Sequence, residues 1–196
     1  MKWPRGLYYD DEATSPNKLY VCDYLNQRIA VYNDRDQLRD EIVLTAEDKL
    51  VPNFNTKSPS FDSADLEDEI RFCPLSLKIA GNNMYVTDDW SSSNCIRVFD
   101  KNTKELIRNI GDLQAWNPMG VYIDHNENIF TLARLYYETG TTFLFCFDKN
   151  GKLLYRTNLN ISDNGVVTDF VIDEYTNRSN YGMIATGETK LYYIRF

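Results

Sequence analysis

Three aspartates stand at related places along the chain. Asp23 and Asp88 each close an apolar stretch, Leu19–Asp23 and Met84–Asp88. Asp169 sits inside Val167–Asp173, where the corresponding stretches carry Gly or Ser. Carboxylates gathered from separate segments suit a hard cation such as calcium, which takes oxygen ligands in a flexible shell. Asp also ends strands and makes turns, which gives its recurrence a purely structural reason. A second set comprises Tyr24, Arg28, Trp90, Arg134, Tyr136 and Tyr137, in or beside the loops that follow these stretches. Aromatic rings and guanidinium groups anchor peptides because they bury area and still hydrogen-bond. Packing between layers is the structural alternative for each of them. No residue is assigned a catalytic role.

Other chemistry is limited by what the chain lacks. His125 is the sole histidine and lies in the polar run Asp124–Asn128, which reads as a turn. Multi-histidine metal sites are therefore excluded, as is any Ser-His-Asp triad that does not use His125. Cys22, Cys73, Cys95 and Cys146 are scattered, with none of the close pairs a zinc ribbon needs. They read as small buried hydrophobes in strands. There is no Gly-rich phosphate loop and no Gly-x-Ser-x-Gly elbow.

Length and charge narrow the class. The 196 residues are ample for one domain with a real core, and the 43% hydrophobic content is that of a globular protein. Lys and Arg number 21 against 29 Asp and Glu, so the net charge of −8 argues against broad phosphate-backbone binding. No apolar run reaches the roughly 18 residues of a membrane helix. Met1–Leu7 carries Lys2 and Arg5 with no apolar stretch behind them, so no secretory signal is read and the cytoplasm is the expected compartment.

The elements that must position these residues repeat. Pro4–Asp10, Pro74–Ala80 and Pro118–Asp124 stack without gaps, and Val167–Asp173 fits their last five positions. Each is followed by a second apolar stretch: Leu19–Asp23, Met84–Asp88, Ile129–Ala133 and Met183–Gly187. A third follows in Arg28–Tyr32, Cys95–Phe99 and Phe143–Phe147, and a fourth in Leu38–Leu44, Leu106–Ile110 and Leu153–Leu159. Asn150-Gly151 predicts a two-residue type I′ hairpin turn. The unit is thus four short strands, rich in β-branched and aromatic residues. Unit starts lie 70, 44 and 49 residues apart, the first spacing being stretched by an acidic insertion over 46–72. Four-stranded units at this period are blades of a β-propeller. The expected fold is all-β, with blades over about 4–45, 74–111, 118–160 and 166–196 in a single domain spanning 1–196. The insertion reads as a solvated loop or a docking segment.

The unit Asn17–Tyr32 resembles an NHL repeat. The family pattern runs apolar-Tyr-Val-Ala-Asp, a turn with Asn-x-Arg-Ile, then x-Val-Phe, and Asn26, Arg28, Ile29, Val31 and Tyr32 match it. The leading Pro-x-Gly-apolar-x-apolar-Asp is present at Pro4–Asp10 and Pro118–Asp124. Asn82–Asp88 and Ser93–Phe99 match more loosely, with Cys95 where the family has Arg, and the last two units lose the Asn-x-Arg turn. In such repeats this Arg, here Arg28, lies in the turn and can satisfy turn carbonyls. Six blades is the common NHL count, so the chain reads as a four-bladed ring or as a partial, open part of a six-bladed one. The first unit already supplies its own inner strand and the last lacks a fourth, which raises the need for an oligomer or a partner that completes the ring.

The resemblance is specific for the fold and not for a function, because propellers host many unrelated ones. The principal expectation is a non-catalytic protein-interaction scaffold or ligand-binding propeller that takes a protein or peptide at the channel face or on the acidic insertion, with no cofactor. The alternative is a calcium-dependent hydrolase or lactonase, since some lactonases of propeller fold use a central calcium. RNA binding, known in the NHL family on a basic face, is the third. Arg5, Lys78, Arg97 and Arg134 lie near strand ends but form no basic cluster with interleaved aromatics. The amidating lyases with NHL-like propellers rely on histidine-bound zinc, which one histidine does not provide.

Overall fold

The computed structural model describes residues 1–11, 17–33, 35, 37–43, 72–89, 94–111, 116–135, 141–159, 161, 167–173, 182–187 and 191–195. Among the described residues fifteen strands follow one another. β1 (Pro4–Asp10), β2 (Lys18–Asp23), β3 (Arg28–Asn33) and β4 (Leu38–Ile42) form the first sheet in sequence order. β5 (Pro74–Ala80), β6 (Asn83–Asp88), β7 (Cys95–Asp100) and β8 (Leu106–Ile110) form the second. β9 (Trp116–Ile123), β10 (Ile129–Leu135), β11 (Thr142–Phe147) and β12 (Leu153–Asn158) form the third. β13 (Val167–Asp173), β14 (Gly182–Gly187) and β15 (Leu191–Arg195) form the last, a three-stranded sheet. All pairings are antiparallel meanders, and the four sheets stand in a ring as a four-bladed β-propeller. Most of the insertion lies outside the described residues, as do Trp90, Tyr136 and Tyr137.

Alternation along each strand gives every sheet two faces, and both are apolar where a neighbour stands on each side. Sheets one and two enclose Tyr20, Cys22, Val31, Phe72, Met84 and Phe99. Sheets two and three enclose Tyr85, Ile96, Val98, Ile129, Phe145 and Phe147, with the Trp116 ring edge-on to Phe143 at 4.6 Å. Sheets three and four enclose Phe130, Leu132, Leu144, Phe170, Ile172 and Met183. Burying one such side chain stabilises the fold by roughly 1.5–3 kcal/mol. Cys22, Cys73, Cys95 and Cys146 are buried within these layers.

The inner strands approach closely around the axis. A Cβ on Gly6 would lie 2.8 Å from the Leu75 carbonyl oxygen and from the Ser76 Cα, so only glycine lets β1 lie against β5 there. The turn at Asp148–Lys152 differs from the sequence expectation. Only Gly151 takes positive φ (+88°), and Asn150 does not, so the connection is not a type I′ pair. Asp148 Oδ1 accepts the N–H groups of Asn150 and Lys152, both at 2.9 Å. That side-chain capture leaves Gly151 alone in the left-handed region, and the ladder shifts register at Cys146/Phe147.

Candidate functional site

The inner strands surround a cavity of about 660 Å³. Its polar lining is Arg5 from β1, Ser76 from β5, Asn117 from β9, Arg134 from β10 and Asp169 from β13, joined by Asp89 just after β6. The site has a repeat logic. Tyr24, Asp89 and Arg134 are each the residue that follows the second apolar stretch of its unit. Asp169 occupies the position held by Gly120 in β9, and a Cβ on Gly120 would come within 3.2 Å of Asp169 Oδ1.

Asp89 is the centre of the electrostatics. The Tyr24 hydroxyl donates to its Oδ2 at 3.4 Å, while Oδ1 is buried with no hydrogen-bond partner among the described residues. Burial pushes its pKa up to about 6, the neighbouring Asp88 charge adds to the rise, and Tyr24, Arg5 and Arg134 oppose it. Burial, reinforced by the Asp89 charge, also pushes the Tyr24 phenol up. The Arg5 guanidinium lies 5.7 Å from the Tyr24 ring and 5.5 Å from the Trp3 ring. Asn117 Oδ1 is a second buried acceptor without a partner. Unpaired buried acceptors cost free energy unless a donor arrives, so two in one cavity make it suited to a ligand that brings N–H groups.

Of the residues singled out from the sequence, Tyr24, Arg134 and Asp169 come to this region. Arg28 does not line the cavity. Its Nε meets Asp23 Oδ2 at 3.0 Å and its Nη1 meets Glu41 Oε2 at 2.7 Å, so carboxylates rather than turn carbonyls take it up. Asp23 also accepts from the Lys2 N–H and from Asn26. Burial pushes the Asp23 carboxyl up, but those donors and Arg28 outweigh it and hold its pKa below the usual value. Asp88 is built the same way, with Arg97 Nε at 2.6 Å and the Cys73 N–H at 2.8 Å. Asp23 and Asp88 thus spend their oxygens on arginines and backbone amides. Among the described residues no three His, Cys, Asp or Glu side chains gather as a metal site. Arg97 is consumed by Asp88, so of the four basic residues noted near strand ends only Arg5 and Arg134 meet in the cavity. Asp89 and Asn117 are the groups that sequence reasoning missed. Asp89 was visible as the second member of the Asp88-Asp89 doublet, equivalent to Tyr24 and Arg134.

No protein-family model and no curated protein matches the chain. Its likeness is to solved structures. Hydrazine synthase from Kuenenia stuttgartiensis superposes with a TM-score of 0.65 at 17% identity, over 95% of this chain and 45% of that one. BBS1N, in a structure of its complex with ARL6DN, gives 0.60 at 10% identity over 100% and 51%. The computationally designed Ika4 protein gives 0.53 at 12% identity over 99% and 92%. The chain spans about half the length of the first two. These likenesses show the β-propeller fold.

Proposed function

We propose that the chain is a non-catalytic interaction propeller that holds a basic peptide segment of a protein partner in its central cavity. The observation that carries this reading is the pair of orphaned acceptors, Asp89 Oδ1 and Asn117 Oδ1, in one cavity. A lysine or arginine side chain or a peptide N–H satisfies them, and Arg5 and Arg134 take the peptide's carbonyls or a carboxylate. The net charge of −8 favours approach of a cationic partner. The resemblance of Asn17–Tyr32 to an NHL repeat, and the single-domain reading of 1–196, are consistent with such a scaffold.

An array of short peptides graded in Lys, Arg and Glu content, probed with the labelled chain, tests this. Capture should concentrate on Lys- and Arg-containing peptides and fall in Asp89→Ala and Asn117→Ala, with the thermal melt retained. Equal capture of acidic peptides, or capture unchanged in both variants, would rule the cavity out.

A further inference from the structure

Among the described residues the ring is packed at three junctions and not at the fourth. β1 lies against β5, β5 against β9 and β9 against β13, but among the described residues β13 makes no comparable contact with β1. Among the described residues no apolar core joins sheet four to sheet one. Yet both facing surfaces are built for one. Register places Val171, Ile184 and Tyr193 in a row across sheet four. The equivalent row of sheet three is Tyr122, Phe130 and Cys146, which packs against sheet four. On sheet one the row is Tyr9, Leu19, Tyr32 and Leu38. Its equivalent in sheet two is Ile79, Met84, Phe99 and Leu106, which packs against sheet one. Phe130, Met84 and Phe99 are at most 1% exposed, whereas Ile184 is 41%, Tyr193 53% and Tyr9 54% exposed. Among the described residues, no inner or middle strand of sheets two and three carries an exposed large apolar side chain.

We propose that a second copy of this chain covers these faces, sheet four of each copy packing on sheet one of the other. The interface continues one already present three times within the chain, so the two faces are complementary by construction. A twofold axis along the channel makes two identical junctions, closes eight sheets and leaves no open face. Each copy then lines one shared channel with its own Arg5, Asp89 and Arg134.

Light scattering after size exclusion of the full chain should give about 46 kDa, twice 22.9 kDa, and raised salt should not dissolve the pair, because apolar contact holds it against like net charge. Ile184→Glu and Tyr9→Glu lie at exposed positions and should keep the fold, checked by circular dichroism, while each weakens association at least about tenfold. Mixing the two variants leaves one junction with both faces intact, so association should return. A monomer at micromolar concentration would overturn the proposal, as would a mass that climbs beyond two copies. Loss in Ile184→Glu with none in Tyr9→Glu would equally overturn it, because sheet four would then be pairing with something other than sheet one.

Discussion

The junction between sheets one and two and the seam between sheets four and one are made from the same repeat rows. At the first, Met84 and Phe99 are closed off from water. At the second, Tyr9 and Tyr193 stand half in solvent. The difference shows that a repeat specifies what a face is made of, while a neighbour decides whether that face becomes core. The ion pairs follow the same division. Asp88–Arg97 lies at the packed junction with the Arg97 side chain 3% exposed. Asp23 occupies the place matching Asp88 on the seam side, and its arginine comes from the directly paired position instead of two residues on, with the Arg28 side chain 22% exposed.

The largest effect sets equivalent positions against each other. Phe130→Ala should cost about 3–5 kcal/mol, because a cavity opens in a sealed layer. Ile184→Ala, the same row position at the seam, should cost under about 1 kcal/mol in the diluted chain. Urea denaturation at submicromolar concentration reads both. Equal losses would mean that the seam is already packed.

The ion pairs sharpen the contrast at a smaller scale. Arg97→Ala removes the cation beside a fully buried carboxylate, which keeps the Cys73 N–H but loses that charge partner, and should cost about 3 kcal/mol. Arg28→Ala should cost about 1 kcal/mol, since Asp23 keeps the Lys2 N–H and Asn26. Reversal of that order would break the comparison.

Much of this was legible in the sequence, and the limits are physical. The period of prolines, apolar stretches and polar turns located the blades, because a meander of short strands needs each of those features in order. Arg28 was visible as a residue but not as an ion-pair partner, since Glu41 reaches it only through the β3–β4 register. Asp89 stood at a repeat position but was not separated from Asp88. Two adjacent aspartates read as one turn signal, although strand alternation sends the first to the face that holds Arg97 and leaves the second at the cavity. The seam was legible only in outline: the last unit's missing fourth strand raised the need for an oligomer or a completing partner. Tyr9 and Val171 have the composition of core residues, and no local pattern records which faces stay uncovered.

The packed junction also has a channel side, and Asp89 tests it by pH. A folded-state pKa near 6, above the ordinary value of about 4, means that the folded chain holds this proton more tightly than the unfolded one. Its contribution to stability is full below about pH 4 and is lost as pH rises through 6, a difference of on the order of 3 kcal/mol. Asp89→Asn should therefore match the parent at low pH and exceed it in stability above pH 6, with chemical denaturation across the range as the readout. Capture of basic peptides by the parent should strengthen through the same interval, because ionised Asp89 attracts a cation that the neutral acid does not. Identical stability profiles for parent and variant would place Asp89 in solvent, and would remove both the raised pKa and the reason for its orphaned oxygen to seek a ligand.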